Sequence, residues 1–481
     1  MSATRSLSCT HLLADPRGPV TGPARLVLAD RRIAEVGPAA GPVDDVFVMP
    51  APVNAHDHGR PVRTTSVGAG GKPLEAWLNY LALFPSVDPY LAAALSLSRS
   101  ALGGSGIVMM HYTRAQGFTD LPREVQEVAR AARDVGVRVG FAVSMKDRHP
   151  LVYGPSEPFL ATIPEPARSV LAGQFLREPL SPKAFIELAD AVAEAAGGPD
   201  FDVQYGPNGP QWCSDALLEA VAEASARTGR RVHMHLLETR YQRAWADEAY
   251  PGGIVRHLDS IGLLSERLTL AHCVWARPDE LELLAERGVT IVSNPSSNLH
   301  LRSGIGPVAQ MKAKGCRVAI GVDGKALEED DDALREIRVA HLLHIGTGFR
   351  TKVTAADILG MALVNGRRSV TGRNEGGVLA PGAPADLIVL DWAKIEDDRL
   401  GVPCDVLDMI LTRATARHVR ELIIGGRTIV RDGVVTGIDY PAVRAEVLAR
   451  MRAAMPDKAA LAAAMPALDA AAGKHFEPGC C

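Results

Sequence analysis

The chain has 481 residues, enough to bury a large core in one big domain and still carry a smaller accessory one. Hydrophobic residues make up 47% and charged residues 22%, as in soluble globular enzymes; the net charge of −4, with no dense basic stretch, excludes the phosphate neutralisation that drives nucleic-acid binding. No apolar run approaches a membrane span, and the opening MSATRSLSCTHLLADPRG has no h-region of a secretory signal.

In chain order, residues 7–48 read as short β-like pieces broken by Gly and Pro. From Phe47 onward, β-rich runs alternate with segments of 3.6-residue periodicity. Strands are expected at 46–54, 106–113, 137–145, 201–207, 231–236, 268–273, 289–294 and 317–323. Helical stretches such as SDALLEAVAEASARTG and PDELELLAERG lie between them, the second closed by a Gly. Eight strands alternating with helices predict a parallel (β/α)8 TIM barrel. A doubly wound sheet is the competitor, but its Gly-rich phosphate turn is missing. The connection 146–200 is long and is expected to place helices over the barrel mouth. After residue 375 the texture returns to β, in GGVLAPGAPADLIVLDW and RELIIGGRTIVRDGVV. The expected division is therefore a discontinuous β-sandwich from 1–48 and 373–440, a barrel over 49–372, and an Ala-rich helical tail over 441–481. The acidic run EEDDDALREIR, 328–338, reads as a solvated helix start.

In such a barrel, chemistry sits at the C-terminal ends of the strands. The first strand leaves its apolar run at His56 and His58, which share one face of an extended chain and converge on one point. A His-x-His pair alone would mean no more than a turn. The fifth strand, however, ends at His235 with Glu238 three residues on, the sixth at His272 and the eighth at Asp323. Six side chains able to ligate a metal or move protons thus meet in one cup, and a metal site is the expectation. His233 shares the face of His235 and reads as packing behind it. His111, ending the second strand, reads equally as pocket lining or packing.

The segments VNAHDH, VHMHLLET, LTLAHC, NPSSNLHL and VAIGVDG, in this order, resemble the amidohydrolase superfamily. The similarity is to the branch of adenosylhomocysteine/methylthioadenosine deaminases, guanine deaminases and chlorotriazine hydrolases. It runs from about residue 46 to 345, and the chain ends resemble that family's split β-sandwich. The resemblance implies one divalent metal per chain held by His56, His58, His235 and Asp323, with Glu238 and His272 as the proton-handling pair. Zinc is the first expectation, with iron, manganese or cobalt as alternatives. Simple chemistry supports these roles. An ion with an open position brings the pKa of its water toward neutrality; Asp323 can take a proton, His272 can orient the oxyanion, and Glu238 can protonate a leaving nitrogen. Lys146, after the third strand, leaves a carbamylated bridge between two metals slightly open, but one metal is the expectation.

Two departures fall where substrate is gripped. YGPNGPQWCS carries Asn208 where the deaminases commonly have a histidine, and GVDGKALEEDDD puts Lys325 and several acids after Asp323. The substrate candidates are His111, Asn208, Asn298, Lys325 and Trp77, with Tyr80, Phe84, Trp212 and Trp275 as further aromatics. The expected reaction is removal of an amino group from a nitrogen heteroaromatic by a metal-dependent hydrolase. The alternative is cleavage of an amide, urea or (thio)carbamate C–N bond. Other expectations are a small-molecule substrate, no nucleic-acid or membrane partner and a homo-oligomer, dimer or higher. The seven scattered cysteines, without C-x-x-C spacing and including the pair Cys480 and Cys481, favour a reducing cytoplasm.

Overall fold

The computed structural model describes residues 4–324 and 328–477, so Lys325, Cys480 and Cys481 lie outside the described residues. Four strands come first: β1 (Arg5–Leu12), β2 (Ala24–Ala29), β3 (Arg32–Pro38) and β4 (Asp44–Pro50). Eight more follow: β5 (Val53–Asp57), β6 (Ile107–Tyr112), β7 (Arg138–Met145), β8 (Phe201–Pro207), β9 (Val232–Leu236), β10 (Leu268–His272), β11 (Thr290–Ser293) and β12 (Arg317–Ile320). These eight form one parallel ladder in chain order, with helices between them. The seam between β12 and β5 is closed past the ladder. Asp323 N–H donates to His56 O at 2.8 Å, and Val322 N–H donates to the Asn54 side-chain oxygen at 2.8 Å. The architecture is a (β/α)8 barrel. Its N-terminal end is plugged by the helical segment Met361–Thr371, where Asn365 Nδ2 donates to Val318 O and Gln204 Nε2 to Ser369 O.

A small hairpin, β13 (Gly346–Thr347) and β14 (Arg350–Thr351), precedes the last four strands: β15 (Leu387–Asp391), β16 (Val419–Ile424), β17 (Arg427–Arg431) and β18 (Val434–Val435). Both chain ends share one sheet, ordered β18-β17-β16-β15-β4-β1-β2-β3. Its strands are hydrogen-bonded in one continuous sheet, and a bridge from Arg32 to Pro384 curls its β3 edge back so that its halves enclose a core as in a sandwich. Two-residue alternation divides its faces. Val46, Val48, Leu387 and Val389 close a core with Leu26, Leu28 and Ile33, while Phe47, Met49, Ile388 and Leu390 pack against the barrel. The turn between β16 and β17 is Gly425-Gly426, both at positive φ (54° and 75°), as a two-residue hairpin of this hand requires.

The sequence run 46–54 proves to be two strands in two sheets. β4 belongs to the terminal sheet and β5 to the barrel, because the chain turns at Ala51-Pro52, between them. The acidic run is also corrected. Glu329, Asp331, Asp332 and Glu336 are buried, each with a built partner. Glu329 accepts from Thr64 and Thr65, Asp331 pairs with Arg99 at 2.8 Å, Asp332 caps the helix Ala333–His344, and Glu336 accepts from Ser296 N–H at 2.9 Å. Dipole and composition described an exposed helix start, while distant donors decided the burial.

The barrel mouth is roofed by the helix Leu74–Tyr80 after β5, the short helices Ser156–Leu160 and Ala167–Phe175 of the long connection, and the final helix Ala459–Phe476. Their apolar faces form a cluster that includes Leu74, Trp77, Phe159, Leu171, Leu461 and Leu468. Cys9, Cys213, Cys273, Cys316 and Cys404 are free thiols. No helix among the described residues is long and apolar enough to cross a membrane.

Candidate active site and metal centre

His56 and His58 leave β5, His235 lies on β9, His272 ends β10, and Asp323 stands three residues past β12. Their side chains converge. His58 Nε2 lies 3.1 Å from Asp323 Oδ1, His56 Nε2 lies 3.5 Å from the same oxygen, and His235 Nε2 lies 3.4 Å from His58 Nε2. Candidate ligand atoms of His56, His58 and Asp323 all fall within 4.8 Å of one another, as do those of His56, His235 and His272. Close approach needs a small residue beside them: a Cβ on Gly321 would lie 2.8 Å from His56 Cβ.

The donor set fits a divalent cation. His56 Nε2 and Asp323 Oδ1 are buried without a hydrogen-bond partner, an arrangement that is costly unless a cation occupies the space between them. The far nitrogens are all engaged. His58 Nδ1 donates to His111 O (2.9 Å) and His235 Nδ1 to Asn208 O (2.6 Å), so each Nε2 keeps its lone pair toward the centre. His56 Nδ1 lies 2.7 Å from His233 Nε2, so His233 backs the His56 ring. Burial drives His56, His233 and His235 well below the ordinary imidazole range, into the neutral form that ligates. Burial alone would raise Asp323; the neighbouring His58, His272 and Arg60 groups outweigh it and hold the carboxyl below the usual range. Ser297 Oγ donates to Asp323 Oδ2 at 2.5 Å.

Glu238 stands beside this cluster. Its Oε2 is 3.6 Å from His272 Nε2, its Oε1 accepts from Ser303 Oγ at 3.1 Å, and burial pushes its carboxyl up to about 7. His272 Nδ1 donates to Asn298 Oδ1 at 2.9 Å, leaving Nε2 toward Glu238. The strand ends carry backbone strain: Leu237, His272, Cys273 and Asp323 have φ of 50°, 75°, 48° and 56°. Such left-handed conformations in side-chain-bearing residues cost on the order of 1–3 kcal/mol each and mark places where a scaffold aims a group.

Above these groups opens a cavity of about 500 Å³. Trp77, Asn208, Phe84 and Trp212 are among the residues that line it. His111 and Asn298 are reassigned: both are buried behind the site, His111 with Nε2 donating to Gly206 O (3.0 Å) and Asn298 holding His272. Tyr80 donates to Asp469, and Trp275 is exposed with its Nε1 on Ser303 O. Several positions went unread in the sequence. Asp57, between the two histidines, accepts from His58, Gly59 and Gly324 N–H groups and ties the end of β5 to the loop after β12. Arg60 donates to Asp323 O at 3.1 Å and lies over the Trp77 ring. Arg60, Arg114, Lys146, Arg148 and Arg177 all line the cavity, and among the described residues none of them is in an ion pair with a carboxylate. The only available signal for Asp57 was its place inside His-x-His; the arginines are dispersed in sequence and gave none.

Comparison with known proteins agrees with this geometry. The amidohydrolase family profile matches residues 47–429. A 5-methylthioadenosine/S-adenosylhomocysteine deaminase of Moorella thermoacetica is 30% identical over 451 residues, covering 90% of this chain and 96% of that protein. A 5′-deoxyadenosine deaminase of Methanothermobacter thermautotrophicus is 28% identical, covering 85% and 89%. Among solved structures, a zinc-bound adenosine deaminase from Xanthomonas campestris superposes with a TM-score of 0.75 at 24% identity, covering 94% of this chain and 98% of that one. The zinc complex of atrazine chlorohydrolase from Arthrobacter aurescens does so with a TM-score of 0.74 at 20% identity, covering 93% and 99%. The chain belongs to the amidohydrolase family and is a hydrolase of carbon–nitrogen bonds other than peptide bonds.

Proposed function

We propose that the protein is an aminohydrolase that removes an exocyclic amino group from a nitrogen heteroaromatic, using one divalent ion, zinc first, held by His56, His58, His235 and Asp323. The observation that carries the reading is Glu238, a buried carboxyl pushed up to about 7 and set 3.6 Å from His272 over the convergent ligand atoms. A divalent ion bound there supplies Lewis acidity and brings its water toward deprotonation at neutral pH. Asp323, kept as the anion, accepts a proton from the attacking water. Protonated Glu238 delivers one to the leaving nitrogen, which turns a poor leaving group into ammonia. His272, steadied by Asn298, presents Nε2 to the oxyanion side. Trp77, Phe84 and Trp212 offer flat apolar surface for a ring, and Arg114, Lys146, Arg148 and Arg177, without an ion-pair partner among the described residues, favour a substrate bearing an anionic substituent.

The relatives named as deaminases of adenosine-type compounds support a purine-containing substrate. A second reading, hydrolysis of an amide, urea or (thio)carbamate, is favoured by Asn208. Its Oδ1 is occupied by Ser144 Oγ at 2.7 Å, which leaves an amide donor rather than an imidazole facing the cavity. The test is product analysis on adenosine-type nucleosides, aminopurines, pterins, triazines, aryl ureas and carbamates, with neutral and carboxylate-bearing pairs and metal content determined on the same sample. Ammonia from a heterocycle with about one metal per chain is the expected result. Release of an organic amine moves the enzyme to the second reading, and silence across the panel with metal bound overturns both.

A further inference from the structure

The helix Leu74–Tyr80 buries a carboxylate whose function the chemistry above does not use. Glu75 is only 5% exposed, and no described cation forms an ion pair with it. Its Oε1 accepts from Thr239 Oγ1 at 2.5 Å and from Tyr153 OH at 2.9 Å, while Oε2 is buried with no hydrogen-bond partner. A buried acid without a cation is an expensive way to fill space, so its partners matter.

Those partners lead to Glu238. Thr239 is the next residue, and its Oγ1 also accepts from Gln242 N–H at 3.2 Å, capping the helix Arg240–Ala249. The Gln242 side chain turns back: its Oε1 accepts from Glu238 N–H at 2.8 Å, and its Nε2 donates to Tyr153 OH at 3.4 Å. Glu75, Thr239, Gln242 and Tyr153 therefore form a closed ring of hydrogen bonds, completed through the backbone N–H of Gln242, with the backbone of Glu238 as a spoke. The segment it holds follows Leu237, which sits in the left-handed region at φ 50° and would relax if released. The same helix presents Leu74 and Trp77 to the cavity, so the wall and the acid are joined through one carboxylate.

We propose that Glu75 is a positioning residue for Glu238, fixing the acid–base relative to the substrate wall through Thr239 and Tyr153. The inference rests on the reading of Glu238 as the proton donor. The ring constrains the backbone that carries Glu238, so its loss falls on the chemical step. A residue that only shaped the wall would affect substrate binding instead.

The test uses the full-length, metal-loaded enzyme and the panel compound with the highest kcat/KM. Glu75→Ala should lower kcat by about tenfold or more while KM moves less than about threefold, at unchanged metal content, as expected for a displaced catalytic group. Glu75→Gln keeps an acceptor for both hydroxyls and should return kcat to within about threefold of the parent. Tyr153→Phe, which keeps the ring and removes one donor, should lower kcat alone and add little in the Glu75→Ala background, because both act through one network. An unchanged kcat in both Glu75→Ala and Tyr153→Phe, or a rise in KM alone, overturns the proposal. Glu238→Gln is assayed alongside. If it keeps full turnover, the reading of Glu238 fails and takes the inference with it; if it is inactive while the Glu75 and Tyr153 variants are normal, only the coupling fails.

Discussion

Asp323 and Glu238 are both buried carboxyls at one site, yet their surroundings push them in opposite directions. Asp323 receives Ser297 Oγ and stands beside the Arg60 guanidinium, so it stays ionised. Glu238 is offered one hydroxyl and a more distant ring, and burial pushes it up to about 7. Two acids with separated proton affinities are what a reaction needs when it takes a proton at one place and returns it at another. Asp323→Ala should lose bound metal, read by elemental analysis. Glu238→Gln should keep the metal and lose about 10²-fold or more in turnover, within the range for general acid–base catalysis. In the proposed role of Glu238 the protonated carboxyl is the active form, so kcat/KM should fall as pH rises through about 7, and that limb should be missing from the residual activity of Glu238→Gln. Retention of the same limb in the variant would assign it to another group. The convergence of the six side chains was legible because strand-end positions follow from the barrel pattern. Asn298 was not, since whether an Asn faces substrate or backs a histidine depends on the helix Pro295–His300, whose placement no local periodicity encodes.

At the scale of elements, the final helix Ala459–Phe476 gives the mouth its back wall. Leu461, Met465 and Leu468 pack into the cluster of the lid helices, and Asp469 accepts from Tyr80 OH and Lys72 Nζ, each at 2.7 Å. Phe476 packs edge-on against Tyr153, which itself reaches Glu75. The tail was legible as helix from its alanine content, but its docking was not. Its partners, Leu74, Leu171 and Leu301 among them, lie far upstream, in segments whose apolar spacing is ordinary. The misread acidic run has the same origin, since Arg99, Thr64 and Ser296 are remote in sequence from the acids they hold. Leu468 is fully buried, so Leu468→Ala should cost about 2–5 kcal/mol of local stability through lost contacts and a cavity. The expected consequence is faster proteolysis at the mouth and a higher KM, with kcat much less affected; a parental KM together with parental protease resistance would show that the helix does not support the cavity.

Across the whole molecule, the barrel and the terminal sheet share one core, so the two are locked face to face. The β texture of both chain ends made a shared terminal sheet readable, whereas the change of sheet between Pro50 and Val53 was hidden inside one apolar run. The loop and helix after β12 bring a further property: Asp331 and Asp332 are pushed by burial to about 6, and Glu336 to about 7. Such groups bind a proton more tightly folded than unfolded. The stability Glu336 contributes is therefore fully present below its unfolded value of 4.5 and is lost as pH rises through about 7. The size of that loss is on the order of 3 kcal/mol. Glu336→Gln removes the titration while keeping an acceptor for Ser296 N–H. Unfolding followed by denaturant from pH 4 to pH 8 should show the variant gaining on the parent between about pH 4.5 and 7, then a constant difference above. Parallel curves across the range would mean that Glu336 takes up no extra proton on folding, and that the donors of Ser296 hold it ionised in spite of its burial.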